Sequence, residues 1–181
     1  MSGVSDKKKF AFSGRWIPEK GDAGQVFFSA KYWVTNDLGI GIDYRPRVDH
    51  ISWTATYRAL SEDVESWRPA LILGTSVDDF TEGSTQVESR SYFATFSKSF
   101  NDHELWGITA APYVGAVYID KLDKVRPLAG VNFRHKEASL MIQYSGTDTH
   151  LTLTRSLSDN LSVSAIYWGL KYPGLGMSLR F

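Results

Sequence analysis

The last eight residues of the chain, Gly-Leu-Gly-Met-Ser-Leu-Arg-Phe (174–181), decide how the rest of the sequence is interpreted. Large apolar side chains alternate here with small or polar ones, the apolar set being Leu175, Met177, Leu179 and Phe181. A period of two is typical of a β-strand, because successive side chains point to opposite faces. Chain ends are normally frayed and polar. This apolar alternation therefore predicts a terminal strand that is held by a neighbour on each side.

The same period-two alternation recurs along all 181 residues, whereas apolar stripes with helical spacing are almost absent. Turn-forming clusters such as Asn36-Asp37 and Asn101-Asp102 separate the alternating segments. The pattern predicts twelve strands, at 9–16, 25–35, 38–45, 50–60, 66–76, 88–100, 103–118, 125–134, 138–145, 149–157, 161–170 and 173–181. The connection at 17–24 is expected to be a loop outside the sheet. An even number of strands suits a closed antiparallel barrel in which the last strand pairs with the first.

The composition of the two strand faces distinguishes two kinds of barrel. In the strand expected at 50–60, one face carries Ile51, Trp53, Ala55 and Tyr57 and the other carries Ser52, Thr54 and Thr56. A soluble sandwich or lipocalin-like barrel, which is the alternative, would show Lys and Glu on its outer face. Small polar residues facing a lumen and apolar residues facing lipid are typical of a membrane barrel. The sequence therefore predicts a twelve-stranded antiparallel transmembrane β-barrel over residues 9–181, preceded by a disordered periplasmic segment at 1–8.

Composition excludes several other classes of protein. The chain has no Cys, so it has neither disulfides nor a thiolate metal site. Its 20 basic and 20 acidic residues balance, which gives no reason to expect nucleic acid as a partner. No metal or cofactor is expected. The first residues contain no apolar stretch of the kind found in a signal peptide, so we expect the sequence to be a mature form.

Two stretches resemble known protein families. The terminal strand that ends at Phe181 resembles the C-terminal signature of bacterial outer-membrane proteins, which implies a Gram-negative outer membrane, with lipid and the barrel-insertion machinery as partners. Residues 67–100 are similar to part of the YjbH-type barrels, outer-membrane proteins associated with exopolysaccharide export. The matching residues are Pro69, Ala70, Gly74, Asp79, Phe80, Tyr92, Ala94, Ser97 and Lys98. This local resemblance also implies a protein of the cell envelope.

The residues assigned to the lumen are mainly basic. The parity of each strand predicts a pore lined by Arg15, Lys31, Arg45, Arg58, Arg68, Arg126, Arg134 and Arg180, with Asp43 as the acidic member. Guanidinium groups form planar contacts with carboxylates, phosphates and sulfates, and basic pore linings favour anions. The pattern resembles the arginine-lined twelve-stranded porins that pass acidic oligosaccharides. It predicts a small passive channel for an anionic solute or an acidic saccharide.

Two other functions stay open. The bulky residues expected to point inward are Phe27, Trp33, Phe93, Tyr113 and Trp168. If they fill the lumen, the protein is a closed structural or partner-binding barrel. A hydrolase needs a base beside a nucleophile, and His150 near Asp148 and Ser145 is one such combination. These residue types are common in turns and their spacing matches no specific motif, so no enzyme is expected.

Overall fold

The computed structural model describes residues 9–63, 66–77, 89–105 and 107–181. The strands in these ranges are β1 Phe10–Trp16, β2 Val26–Trp33, β3 Leu38–Arg45, β4 His50–Leu60, β5 Ala70–Val77, β6 Arg90–Ser97, β7 Phe100–Leu105, β8 Ile108–Ile119, β9 Lys124–His135, β10 Ala138–Tyr144, β11 Thr149–Ser156, β12 Leu161–Trp168 and β13 Tyr172–Arg180. A short helix, α1 (Asp22–Gln25), and two 3₁₀ turns, Pro46–Val48 and Asp120–Leu122, lie in the connections. Within the described ranges, no helix is long and apolar enough to cross a membrane.

Twelve of these strands form a closed antiparallel barrel. Apart from β7, strands that follow one another in the chain are neighbours in the sheet, and β6 pairs directly with β8. The barrel closes where β1 pairs with β13. Here the Phe181 N–H donates to the Phe10 carbonyl at 2.9 Å, and the Phe10 N–H donates to the Phe181 carbonyl at 3.1 Å. With β12 on its other side, the last strand is held by two neighbours, and the predicted twelve-stranded barrel is confirmed.

The thirteenth strand, β7, differs from the sequence prediction. It pairs with the beginning of β8 and, among the described strands, with no other. The predicted turn at Asn101-Asp102 is therefore wrong, because both residues lie within β7. Gly107, whose φ is +74°, lies in the turn between β7 and β8, a conformation that glycine adopts at low cost. The predicted strand at 103–118 is replaced by the β7–β8 hairpin, and the start predicted at 66 moves to Ala70.

The two ends of the barrel need names. The terminal rim is the end that carries both chain ends, and the far rim is the opposite end, where β3 joins β4. At the far rim, Asp49 and Asp123 end the two 3₁₀ turns in the left-handed conformation, with φ of 46° and 47°. Each carboxylate accepts a hydrogen bond from a tyrosine hydroxyl, Tyr44 at 3.4 Å and Tyr118 at 3.1 Å. The two turns therefore share one local design.

Apolar side chains cover the outside of the barrel. Ile51 and Trp53 on β4 are 67% and 55% exposed, whereas Ser52 between them is 6% exposed. Exposed aromatic residues gather toward the two rims: Phe10, Phe12, Tyr57, Phe96 and Phe181 near the terminal rim, and Trp16, Tyr44, Tyr92, Tyr144 and Tyr167 toward the far rim. Aliphatic residues such as Ile40, Val114 and Leu175 are exposed between them. This arrangement inverts that of a soluble domain, in which the apolar faces are buried.

The connection between β4 and β5 is fastened to the segment that follows β6. The Lys98 ammonium donates to the backbone carbonyls of Asp63 at 2.6 Å and Ser66 at 2.8 Å. It also lies 3.5 Å from the Glu62 carboxylate, which accepts a hydrogen bond from the Ser99 N–H at 2.6 Å. Burial alone would raise the pKa of Glu62, but the bonds from Ser99 and the charge of Lys98 outweigh it and lower that pKa.

Closure of the barrel depends on the last residue. Deletion of Phe181 removes two backbone hydrogen bonds to Phe10 and an edge-on contact with the Phe12 ring at 6.2 Å. We expect a loss of ~1–3 kcal/mol in the free energy of unfolding. Urea titration of the refolded protein measures this loss. Deletion of residues 1–8, which precede β1, is the control and should cost less; equal losses would contradict the role given to the terminal strand.

The Glu62 contacts predict a pH dependence. Because the folded-state pKa of Glu62 is lowered, its stabilisation is present above the unfolded-state value of about 4.3 and is lost as the pH falls through the folded-state pKa. Glu62→Gln should cost up to ~1 kcal/mol at neutral pH and progressively less as the solution is acidified, because the pair is partly exposed. Unfolding curves of both proteins from neutral to acidic pH measure this difference. A difference that stays constant with pH would contradict the assignment.

Candidate functional site

A group of cations and aromatic rings occupies the lumen near the far rim. Arg15 and Arg45 both lie over the Phe27 ring, with their guanidinium carbons 4.5 and 5.2 Å from its centroid. Arg15 also lies 4.9 Å from the Trp168 ring, and the Lys20 ammonium lies 3.8 Å from the same ring. Cations over aromatic faces are attracted by the negative face of the ring. We call these five residues the luminal basic cluster.

Arg45 is the most enclosed member of the luminal basic cluster. Its side chain is 1% exposed, and its guanidinium donates to the Ser52 hydroxyl and to the Val77 carbonyl, both at 3.5 Å. Asp43, two residues earlier on the same strand face, is 5% exposed. A guanidinium keeps its proton even when buried. The positive charge of Arg45 is therefore a fixed feature of the barrel interior.

Lys31 lies deeper in the lumen. Its ammonium donates to the Thr56 hydroxyl at 2.9 Å and lies 4.4 Å from the centroid of the Trp33 ring. Both side chains lie against Gly39, where an added Cβ would come within 2.6 Å of Lys31 Cε and 2.9 Å of the Trp33 ring. Glycine at this position leaves room for a cation and an indole to lie along the wall.

Arg126 carries a buried donor that the rest of the described chain does not satisfy. Its Nη1 atom is buried and has no hydrogen-bond partner in the structure. The residue lies on β9, where it pairs with Val117. The backbone of Gly146 passes close to its stem, because a Cβ on that glycine would lie 2.7 Å from Arg126 Cβ. An unpaired buried N–H of a cation is costly, and an anion in the lumen would satisfy it.

The remaining predicted pore residues lie elsewhere. Arg58, Arg134 and Arg180 are exposed near the terminal-rim ends of β4, β9 and β13. Arg58 forms an ion pair with Asp37 at 3.6 Å. Arg68 is exposed in the connection before β5, outside the strands, so the structure does not bring it into the lumen. The predicted set is therefore divided between an inner group (Arg15, Lys31, Arg45 and Arg126), an outer group at the mouth, and Arg68 apart from both.

Bulky side chains point into the lumen and narrow it, as their positions in the strand alternation predict. Phe93 packs against a buried apolar group on the neighbouring strands β8 and β9, formed by Val117, Ile119 and Leu128. The Tyr113 ring lies against Gly130, where an added Cβ would come within 2.6 Å of its hydroxyl. Phe27, Trp33 and Trp168 carry the cations described above. The far-rim half of the lumen therefore has an apolar group on β6, β8 and β9, with Arg126 beside it, and a basic and aromatic group centred on Phe27 and Trp168.

His150 is held in a tautomer that does not suit catalysis with Ser145. The Gly169 N–H donates to His150 Nδ1 at 2.9 Å, so the proton of the neutral ring lies on Nε2. Nε2 faces the Ser145 hydroxyl at 3.3 Å, and that hydroxyl donates to the Asp148 carbonyl at 3.2 Å. The imidazole therefore presents a donor to the serine, whereas a general base must present an acceptor. These contacts fix the β10–β11 turn.

Sequence reasoning missed two residues of this region. Ile17 is completely buried, although it lies in the 17–24 connection, beyond the predicted end of the first strand; its Cγ1 would lie 2.7 Å from a Cβ on Gly174. Ile17 is the next residue in the alternation that places Arg15 on the luminal face of β1. This alternation could have identified Ile17 as an inward-facing residue. Lys20 reaches Trp168 from the same connection. Lys20 lies outside the strands, where the two-residue alternation does not apply, so the sequence pattern could not predict its contact with Trp168.

Comparisons add no family to this description. Neither the protein-family models nor the curated proteins include a match to the chain. No group of three or more His, Asp or Glu residues suited to a metal ion occurs in the part of the chain that the structure describes. The proposed function therefore rests on the fold and on the side chains that line the lumen.

Proposed function

We propose that this chain is an outer-membrane β-barrel of a Gram-negative bacterium that acts as a small passive channel with a basic lumen favouring anionic solutes. The observation that carries this proposal is the luminal basic cluster, in which Arg15 and Arg45 share one phenyl ring. The chain as a whole is neutral, with 20 basic and 20 acidic residues. Within a chain that is neutral overall, the far-rim part of the interior thus holds a group of three cations, Arg15, Lys20 and Arg45.

Placement in a membrane is supported by the outer surface. Its two bands of aromatic residues correspond to the interfacial girdles of membrane barrels, and the aliphatic residues between them suit contact with lipid. In this placement the terminal rim is periplasmic and the far rim is external. Phe181, at the end of β13, would be read by the barrel-insertion machinery.

Anion preference follows from where the cations lie. Arg58, Arg134 and Arg180 surround the periplasmic mouth, and the luminal basic cluster lies near the external end. A charge in a narrow lumen is poorly screened, because the walls have a low dielectric constant and few ions fit beside it. Guanidinium groups recognise carboxylates and phosphates, so a small organic anion or an acidic saccharide is the proposed solute.

A closed structural or partner-binding barrel is the second candidate. It is favoured by the complete burial of Ile17 and by Arg45, which is 1% exposed. Both residues lie at the far-rim end of the lumen, together with the apolar group around Val117. Conductance separates the two candidates, because a closed barrel passes no current.

Ion selectivity tests the channel. In planar bilayers with a potassium chloride gradient, we expect the parent protein to prefer anions. Combined Arg15→Gln and Lys20→Gln should move the reversal potential toward that of a cation-selective pore, and high salt should reduce the effect through screening. Arg58→Gln is the matched control, since this mouth residue is already paired with Asp37 and should change the potential less. A parent protein without conductance would instead support the closed barrel.

Substitutions on opposite faces test the membrane placement. Ile40→Arg puts a charge on the lipid-facing surface and should cost on the order of 2–4 kcal/mol of stability in lipid vesicles. Thr54→Arg puts the same side chain into the lumen beside Gly41 and should cost much less. The free energy of unfolding in vesicles measures both. Equal losses would leave the membrane placement without support.

A further inference from the structure

The pairing between β4 and β5 stops short of the far rim. The last paired residues are Ala55 and Thr75, although β4 continues to His50 and β5 continues to Val77. Two arginines bond the backbone of this unpaired stretch. Arg90 Nη1 donates to the Trp53 carbonyl at 3.2 Å, and Arg45 Nη2 donates to the Val77 carbonyl at 3.5 Å.

The unpaired stretch between β4 and β5 is called the β4–β5 seam below. The two arginines reach it from opposite sides of the barrel wall. Arg45 belongs to the luminal basic cluster. Arg90 shares the outer face of β6 with the exposed Tyr92, and its guanidinium lies 4.0 Å from the Trp53 ring. Arg90 Nη1 also donates to the Thr75 hydroxyl at 3.3 Å. At this seam the backbone hydrogen bonding between β4 and β5 is interrupted, and two arginine side chains bond backbone carbonyls there instead.

A groove of about 410 Å³ opens on the outside of this seam. The residues that line it are Ile42, His50, Ile51, Ser52, Trp53, Val77 and Arg90. Ile42 and Ile51 are well exposed on the lipid-facing surface, and Arg90 is the first residue of β6, at the far-rim end of that strand. Walls that are largely apolar, with an arginine toward the external interface, are complementary to an amphiphile that has an anionic head.

We propose that this groove binds an acidic phospholipid-like lipid of the outer leaflet, with its phosphate on Arg90 and its acyl chain along Ile42, Ile51 and Trp53. The inference rests on the membrane placement proposed above and is separate from conduction. Both hydrogen bonds that Arg90 makes to described residues leave from Nη1. A guanidinium carries five donors in a planar fork, so its other edge can bind phosphate oxygens in a bidentate manner.

The chain offers a matched control for this site. Arg155 on β11 is also exposed and shares its strand face with Leu153, but it lies toward the terminal rim. Its neighbours in the ladder are Ala138 and Val163. It supplies the same charge to the outer surface and forms no cation–aromatic pair with the residues that the structure describes. A general attraction between arginine and lipid would act at both positions.

Lipid binding measured in a neutral detergent tests the proposal. The folded protein is titrated with phosphatidylglycerol and with phosphatidylcholine of the same acyl chains, and bound lipids are counted by native mass spectrometry. We expect the parent protein and Arg155→Gln to prefer phosphatidylglycerol by about tenfold, and Arg90→Gln to lose that preference. Equal binding of the two lipids by the parent protein, or equal loss in both variants, would overturn the inference.

A second variant covers the case in which Arg90→Gln does not fold. Ile51→Asp keeps Arg90 and places a negative charge in the groove, so it should also lose the preference for phosphatidylglycerol; an unchanged preference would overturn the inference. The measurement does not depend on conduction. A chain that folds in detergent and binds both lipids equally contradicts this inference alone, whereas a chain that folds only without detergent contradicts the membrane placement.

Discussion

Backbone hydrogen bonding between the first and last strands is the constraint on which the rest of the structure depends. A sheet with an open edge leaves a row of N–H and C=O groups unpaired, and apolar surroundings supply no substitute. The reciprocal bonds between Phe10 and Phe181 remove that edge. Closure also fixes which face of each strand is inside. Once β13 is held by β1 and β12, its glycines must face the lumen and Leu175 and Met177 must face outward.

The interior of this twelve-stranded barrel holds both an apolar group and a group of cations with aromatic rings. The apolar group around Val117 packs as an ordinary core does. In the other group, aromatic rings act as supports for Arg15, Lys20 and Arg45. The negative faces of these rings provide favourable contacts for the cations inside the barrel.

Much of the fold was predictable, because the period of two depends only on which face each residue occupies. Strands such as 38–45 and 50–60 lie where the alternation predicts them, and Arg15, Lys31, Arg45 and Arg126 face the lumen by parity. The β7–β8 hairpin was not predictable, since Asn101 and Asp102 look like turn residues until the turn at Gly107 is known. Lys20 reaches Trp168 through the path of a connection, and Arg68 lies outside β5 because that strand begins late. Such features depend on three-dimensional context, which periodicity does not record.

The paired design of the far-rim turns has a practical consequence. In both turns, the hydroxyl of a tyrosine at the end of one strand donates to the carboxylate of a left-handed aspartate five residues later. The 3₁₀ turns between them, Pro46–Val48 and Asp120–Leu122, contain no buried residue, whereas Arg45 and Ile119 just before them belong to the barrel interior. Such turns are natural places to exchange, shorten or tag the chain. The sequence of these connections can thus change while the strands and the residues that line the lumen stay the same.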